Sequence, residues 1–140
     1  MTVSDVDNLI STLRNDTTLT SMVPSSDIKV GWVSKVENFP CIIVTLVGGT
    51  AKGRLGYNTA TSGEKLRTDT GTFQIDVYTT DEGGGARKAG EICDRIEKVL
   101  LPNITGISGL NKTSDVMMYD DEQHVWRRSM RWDYLVVRAD

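Results

Sequence analysis

Two stretches of the chain carry apolar residues at the three- to four-residue spacing of an amphipathic helix. The first helix is predicted over Val3–Asn15, and its apolar stripe consists of Val6, Leu9, Ile10 and Leu13. A second is predicted over Ala86–Leu101, where Pro102 follows and ends it. The stripe of that second helix consists of Ala89, Ile92, Cys93, Ile96, Val99 and Leu100. Only a short helical turn is predicted between Leu19 and Val23.

Five other stretches show the apolar character or the alternation of strands in a sheet. Alternation is clearest over Gly71–Thr80, where Phe73, Ile75 and Val77 share one face. The other strands are predicted over Ile28–Val33, Cys41–Val47, Asp115–Tyr119 and His124–Ala139, with Asp120–Gln123 as the turn of the last hairpin. The order is α, β, β, loop, β, α, β, β. The predicted fold class is therefore α+β, with an antiparallel or mixed sheet packed on one face by two helices in a single domain of residues 1–140.

The segment Gly48–Thr70 breaks both patterns, because it is rich in Gly, Thr and Ser and almost lacks large apolar residues. Its charges lean basic, although the whole chain has a net charge of -3 from 16 basic and 19 acidic residues. Long connections of this kind inside a domain are usually functional. We expect an extended loop or β-hairpin arm, mobile in the free subunit, that orders on a neighbouring chain. The predicted contact residues are Lys52, Arg54, Leu55, Tyr57, Lys65, Leu66 and Arg67.

One segment has the residue types of a metal site. His124, the only histidine, follows Asp120, Asp121 and Glu122. A solvated hairpin turn accounts for these carboxylates, and no second His or Cys joins them at ligand spacing. No nucleophile has a base of its own, and no phosphate-loop spacing is present. We therefore predict no catalytic, metal or cofactor site. A small metal-dependent nucleic-acid enzyme using Asp120, Asp121 and His124 remains the alternative from a different class.

Basic and aromatic residues cluster near the C-terminal end of the chain, in a group that consists of Trp126, Arg127, Arg128, Arg131 and Trp132. Such clusters can bind single-stranded nucleic acid. The neighbouring acidic residues make this a mixed patch, and Arg and Trp are also enriched at protein–protein contacts. A protein interface is the favoured interpretation, and Arg127 and Arg131 are its predicted residues.

Two further observations bear on location. No apolar run has the roughly 20 residues that span a bilayer, and the start of the chain has no basic segment followed by an apolar one. Cys41 and Cys93 both lie inside apolar patterns, which predicts two buried, reduced thiols. We therefore expect a protein that is made in a cytoplasm and has no membrane partner.

Several local sequences, in this order, resemble the tail-completion or tail-terminator proteins of long-tailed bacteriophages. They are the helix leading into Leu19–Val23, the strand start Asn38–Val44, the strand Phe73–Tyr78, the helix Ala86–Leu101, and Asp120–Glu122 followed by Trp126–Val137. The resemblance extends from Val6 to Val137. The long Gly48–Thr70 segment departs from it, and so does Cys41, which stands where the family favours an aromatic residue.

The resemblance implies a structural virion protein rather than an enzyme, made in the host cytoplasm and located in the tail or neck. Such proteins form a ring, often of six subunits, at the head-proximal end of the tail tube. The ring ends tube polymerisation and joins the tail to the head connector. The implied partners are further copies of the chain, the tail-tube protein and a head-closure or connector protein, with DNA only passing through the ring. A head-closure protein of the same particle is the alternative within this class.

Overall fold

The computed structural model of the protein describes residues 3–31, 38–58, 64–102, 104 and 106–139, and it describes residues 3, 49–58, 64–67 and 138–139 by their backbone alone. Three α-helices, one 3-10 turn and five strands follow one another along the chain. They are α1 Val3–Arg14, α2 Thr17–Met22, the 3-10 turn Ser25–Asp27, β1 Ile28–Val30, β2 Cys41–Asn58, β3 Glu64–Thr80, α3 Gly85–Leu100, β4 Gly109–Asp120 and β5 Val125–Ala139.

The strands form one five-stranded mixed sheet in the order β1-β2-β3-β5-β4. β1 runs parallel to β2, and the other neighbouring pairs are antiparallel. The α+β prediction is confirmed. None of the helices within the described ranges combines the length and the apolarity that crossing a bilayer requires.

The core lies between one face of the sheet and the helices, as the alternation predicted. On β3, the buried residues Phe73, Ile75 and Val77 point toward the helices, and Met130 and Trp132 do so from β5. The helices supply the opposite side of the core with Leu9, Ile10, Leu13, Leu19, Ala89, Ile92, Cys93, Ile96 and Leu100. The sheet is thus covered by helices on one face, and the other face carries its own, more polar set of side chains.

An ion pair fixes α2 against α3. Asp16 caps α2, since its side chain accepts a hydrogen bond from the Leu19 amide at 2.9 Å. The same carboxylate accepts two bonds from Arg95, at 2.8 and 2.7 Å, which lower the pKa of Asp16. Glu91 lies four residues before Arg95, a spacing that would allow an ion pair along the helix surface. Arg95 instead reaches a residue 79 positions away.

The Gly48–Thr70 segment is not a structureless loop in its described residues. β2 and β3 stay paired from Cys41↔Tyr78 to Asn58↔Glu64, with register shifts between Leu46 and Gly48 and on both sides of Arg54. Thr68 and Asp69 are buried, although their polarity predicted exposure. Backbone pairing with both neighbouring strands organises this stretch, because β3 also pairs with β5 from Leu66 onward. Its role as an arm stays a prediction.

Several boundaries differ from those that the pattern predicted. β4 begins at Gly109 rather than Asp115, because β5 provides a pairing partner for residues whose side chains show no alternation. The turn predicted over Leu19–Val23 is part of a helix, α2, which begins at Thr17. Part of the first predicted strand, residues 32–33, lies outside the described residues, so β1 is described only to Val30.

Candidate interaction surfaces

The two turns at one end of the sheet are joined around Asp81. The amide of Asp81 donates to the carbonyl of His124 at 3.2 Å, which links the β3–α3 turn to the β4–β5 turn. The Asp81 carboxylate accepts bonds from Tyr119 Oη at 2.6 Å and from Trp126 Nε1 at 2.7 Å. These bonds lower the pKa of Asp81, and in return the carboxylate raises the pKa of Tyr119 to about 12. Tyr119 and Trp126 also contact each other, with ring centroids 4.5 Å apart.

The residues that suggested a metal site lie in the β4–β5 turn. Asp120 Oδ1 accepts bonds from the amides of Glu122 and Gln123, at 3.0 and 3.2 Å, so it serves the turn itself. His124 lies in the left-handed region at φ 55, and its Nδ1 is 3.0 Å from Tyr119 Oη. Within the part of the chain that the structure describes, no three His, Cys, Asp or Glu side chains are grouped to hold a metal ion.

The open face of the sheet, which lies opposite the helices, is centred on a buried carboxylate. Asp76 accepts bonds from both neighbours on its face, from Gln74 Nε2 at 3.0 and 2.9 Å and from Ser129 Oγ. Arg127 Nε donates to the same carboxylate at 3.2 Å, and its guanidinium lies 5.7 Å from the centre of the Tyr78 ring. This network satisfies Asp76 and holds Arg127 in place.

The predicted cluster of arginines and tryptophans is divided between the two faces of the sheet. Arg127 and Arg131 lie together on the open face, where Arg131 Nε donates to Gln74 at 3.1 Å. Trp132 is buried among the core residues on the helix side. Successive residues of a strand point to opposite faces, so a cluster in sequence need not be a cluster in space. Arg127 and Arg131 therefore do not share a face of the sheet with Trp132.

Arg128 belongs to an ion-pair network that the sequence pattern did not indicate. It donates two bonds of 2.7 Å to Asp115 on β4, which lower the pKa of Asp115. Lys112 bonds the same carboxylate at 3.1 Å and also pairs with Glu97 on α3. The network ties α3 to the last two strands. No periodicity signals it, because its members are far apart in the sequence.

The paired outer parts of β2 and β3, residues 48–58 and 64–70, are called the hairpin. The predicted contact residues occupy defined backbone positions in it. Lys65 pairs with Tyr57, Leu66 with Gly56, and Arg67 with Arg54. Lys52 and Leu55 fall at the register shifts of β2. These residues lie at the end of the sheet opposite the Asp81 turns, because β3 runs from Glu64 at one end to Thr80 at the other.

The family comparison covers nearly all of these elements. The family model described as "Tail completion protein gp17" matches residues 7–136, from within α1 to near the end of β5. The chain belongs to this family. It is accordingly a structural, non-enzymatic protein of the phage tail, located in the tail or neck of the virion.

Solved structures show the same fold at low sequence identity. A chain from the "Virion of native gene transfer agent (GTA) particle" superposes with a TM-score of 0.61 at 16% identity, covering 93% of this chain and 92% of that one. A second solved chain has a TM-score of 0.45 at 13% identity, covering 91% and 94%, and we draw nothing from it. None of the curated proteins compared with the chain matches it significantly.

Proposed function

We propose that this protein forms a ring at the head-proximal end of the tail tube, where it assembles with other virion proteins, ends tube polymerisation and joins the tail to the head connector. The ring is expected to contain six subunits, as the family resemblance implies, and DNA passes through it without being a specific ligand. Family membership supports a tail role, and the charge separation along the sheet supports a joining role in particular.

The two ends of the sheet carry opposite charge, and this observation carries the proposal. At the end where the Asp81 turns meet, all five carboxylates are exposed: Asp81, Glu82, Asp120, Asp121 and Glu122. At the hairpin end, basic residues outnumber acidic ones: Lys52, Arg54, Lys65, Arg67 and Arg138 occupy strand positions beside Glu64 and Asp69. A joining protein binds two different partners, and two ends of opposite charge discriminate between them.

The hairpin is the proposed contact of the ring with the tail tube or with a neighbouring subunit. Lys52, Arg54, Lys65 and Arg67 provide charge, and Leu55, Tyr57 and Leu66 provide apolar anchors. Arg127 and Arg131 are proposed as a second contact on the open face of the sheet, nearer the Asp81 turns, where Arg127 pairs with Asp76. Association through these charges is expected to weaken as the salt concentration rises.

A shortened hairpin tests the proposal. Arg54 and Arg67 are paired, so replacing residues 55–66 by Asn-Gly joins them through a two-residue turn. We expect the variant to fold, because the core residues lie outside the deletion, and to lose its ability to stop tube elongation and to join tails to heads. A matched control, Asp121→Asn with Glu122→Gln, leaves the hairpin intact and should still bind tubes.

Complementation of tails that lack the protein, viewed by electron microscopy, is the measurement. If the shortened protein still completes tails, the hairpin is not the contact. Native mass spectrometry of the purified protein, with and without tail tubes, gives the ring size. Binding to the portal-side ring without any binding to tail tubes would favour the head-closure alternative instead.

A further inference from the structure

The last strand of the sheet, β4, leaves a long edge uncovered. β5 is its only strand neighbour among the described residues, and β4 extends over 12 residues, from Gly109 to Asp120. Large apolar side chains are exposed along it, with Val116 50% and Met118 41% accessible. The strand contains no proline, so its outward backbone groups are all able to pair with another strand. Proteins normally protect an edge of this kind.

On the opposite side of the sheet, the described residues cover only part of a second edge. β1 covers β2 only at three residues, Ile42, Ile43 and Val44. From Thr45 to Asn58, no described residue pairs with the outer edge of β2. Here too the first residues are apolar and exposed, since Leu46 is 38% and Val47 is 47% accessible. Within the described ranges, the sheet therefore ends in two long edges that differ in sequence and position.

The strand directions make these two edges compatible. β2, β3, β5 and β4 alternate in direction, so β4 runs opposite to β2. When two copies lie side by side with their sheets in the same orientation, β4 of one copy meets β2 of the next as an antiparallel pair. A contact between two different surfaces of identical copies is heterologous, and it repeats until a rotation closes it into a ring.

The positions of the two edges along the strand direction determine how neighbouring copies can be placed. Gly109 lies at the same position along the strands as Thr50. Leu135 pairs with Gly109 on one side and with Thr70 on the other, and Thr70 pairs with Thr50. With strands parallel to the ring axis, the edges overlap only between Thr45 and Thr50. Inclined strands, as in closed barrels, bring more of both edges together.

We propose that β4 of one subunit pairs with the outer edge of β2, beyond Val44, in the next subunit, so that the sheets form a continuous band around the ring. This inference rests on the proposed ring and adds the surface that closes it. The occupant of each edge is a second copy of this chain. In this arrangement the two ends of each sheet stay available for the axial partners of the ring.

Site-directed crosslinking tests the pairing. Ser114→Cys and Val116→Cys place thiols on β4, and Thr45→Cys and Val47→Cys place them on β2. Ser114 lies at the same position along the strands as Thr45, through the paired residues Arg131 and Gln74, and Val116 approaches Thr45 when the strands are inclined so that the overlap lengthens. Burial raises the pKa of Cys41 to about 11 and that of Cys93 to about 12, so a short bismaleimide at neutral pH reacts mainly with the introduced thiols. The reaction is run on the full chain in the presence of tail tubes.

The expected result is a crosslinked dimer only when a β4 variant is mixed with a β2 variant. A chain carrying both cysteines should give a ladder of multimers that ends at the ring size. Arg87→Cys, which is exposed near the start of α3, is the control thiol and should not crosslink to Val116→Cys.

The outcomes separate this inference from the proposed function. Rings that bind tubes but give no β4–β2 crosslink would overturn the edge pairing and leave the ring in place. A dimer from Val116→Cys alone would show that two β4 edges meet symmetrically, which also overturns it. If no multimer forms and tubes are not terminated, the proposed function itself is wrong.

Discussion

The two faces of the sheet are built from the same strands and differ in what they hold together. On the helix side, β3 contributes Phe73, Ile75 and Val77 to a continuous apolar core. On the open side, its alternate residues Gln74 and Asp76 belong to a polar network with Arg127. Burial of apolar area stabilises the first face, whereas directional hydrogen bonds organise the second. Stability and surface chemistry are thus assigned to opposite sides of each strand, so they can be perturbed separately.

The largest effect is expected from a charge placed on the helix side. Ile96 is fully buried on α3, and Ile96→Asp removes its packing and leaves a carboxylate without a partner. We expect a loss of about 4 kcal/mol or more, enough to unfold a typical domain, as measured by circular dichroism and thermal melting. Lys98→Asp, on the exposed side of the same helix, is the control and should cost less than about 1 kcal/mol. A native melt for Ile96→Asp would refute the assignment of this face.

Removing an ion pair at the margin of the helix side should lower the free energy of unfolding by a smaller amount, which depends on pH. Arg128→Met leaves Asp115 with only Lys112 as a partner, at an expected cost of about 1–3 kcal/mol. The pKa of Asp115 is lower in the folded than in the unfolded protein. Its contribution to the free energy of unfolding is therefore complete above the unfolded-state pKa, and it is lost as the pH falls through the folded-state pKa. Urea unfolding of wild type and Asp115→Asn should therefore differ at neutral pH and converge in acid. A constant difference down to acid pH would contradict the linkage.

A neutral substitution on the open face should cost less still. Asp76→Asn keeps the shape of the side chain and weakens its bonds from Arg127 and Ser129, at an expected cost of about 1–2 kcal/mol. The midpoint of urea unfolding should shift while the far-ultraviolet spectrum stays native. Thr72→Val, at a half-buried position on the same face of β3, is the matched control, since it removes only the hydroxyl's bond to Asp133 and should cost less. Complete unfolding of Asp76→Asn would mean that the open face contributes to stability as the helix side does.

The smallest effect is expected at the exposed turns. Tyr119 donates to Asp81, and this bond raises the pKa of Tyr119 to about 12. Asp81→Asn removes the charge that holds the phenol proton, so one tyrosine should ionise nearer its ordinary pKa. Ultraviolet difference absorbance during alkaline titration is the measurement, with Tyr119→Phe identifying the signal. Identical titrations of wild type and Asp81→Asn would exclude this bond in solution.

The sequence pattern predicted the helix side better than the open side. The alternation over Phe73–Tyr78 and the stripe of α3 both correspond to buried faces, because burial imposes a period on apolar residues. Strand extensions such as Gly109–Ser114 were missed, since backbone pairing with β5 forms them without any side-chain period. The partners of Arg95 and Arg128 were missed as well. Contacts between distant residues depend on how the elements pack, and a single sequence does not contain that information in readable form.

The central strand has a mechanical consequence for a joint between a head and a tail. β3 pairs with β5 throughout residues 66–78, and on its other side it pairs with β2 over the same residues except at the register shift beside Thr68. A pull along this strand, from the hairpin toward the turns, loads both ladders in shear, and many backbone bonds must break together before it yields. Forced unfolding is governed by such a barrier rather than by equilibrium stability. If the ends of the sheet bind the tail and the head, tension between them acts along β3, the direction in which the paired strands resist it in shear.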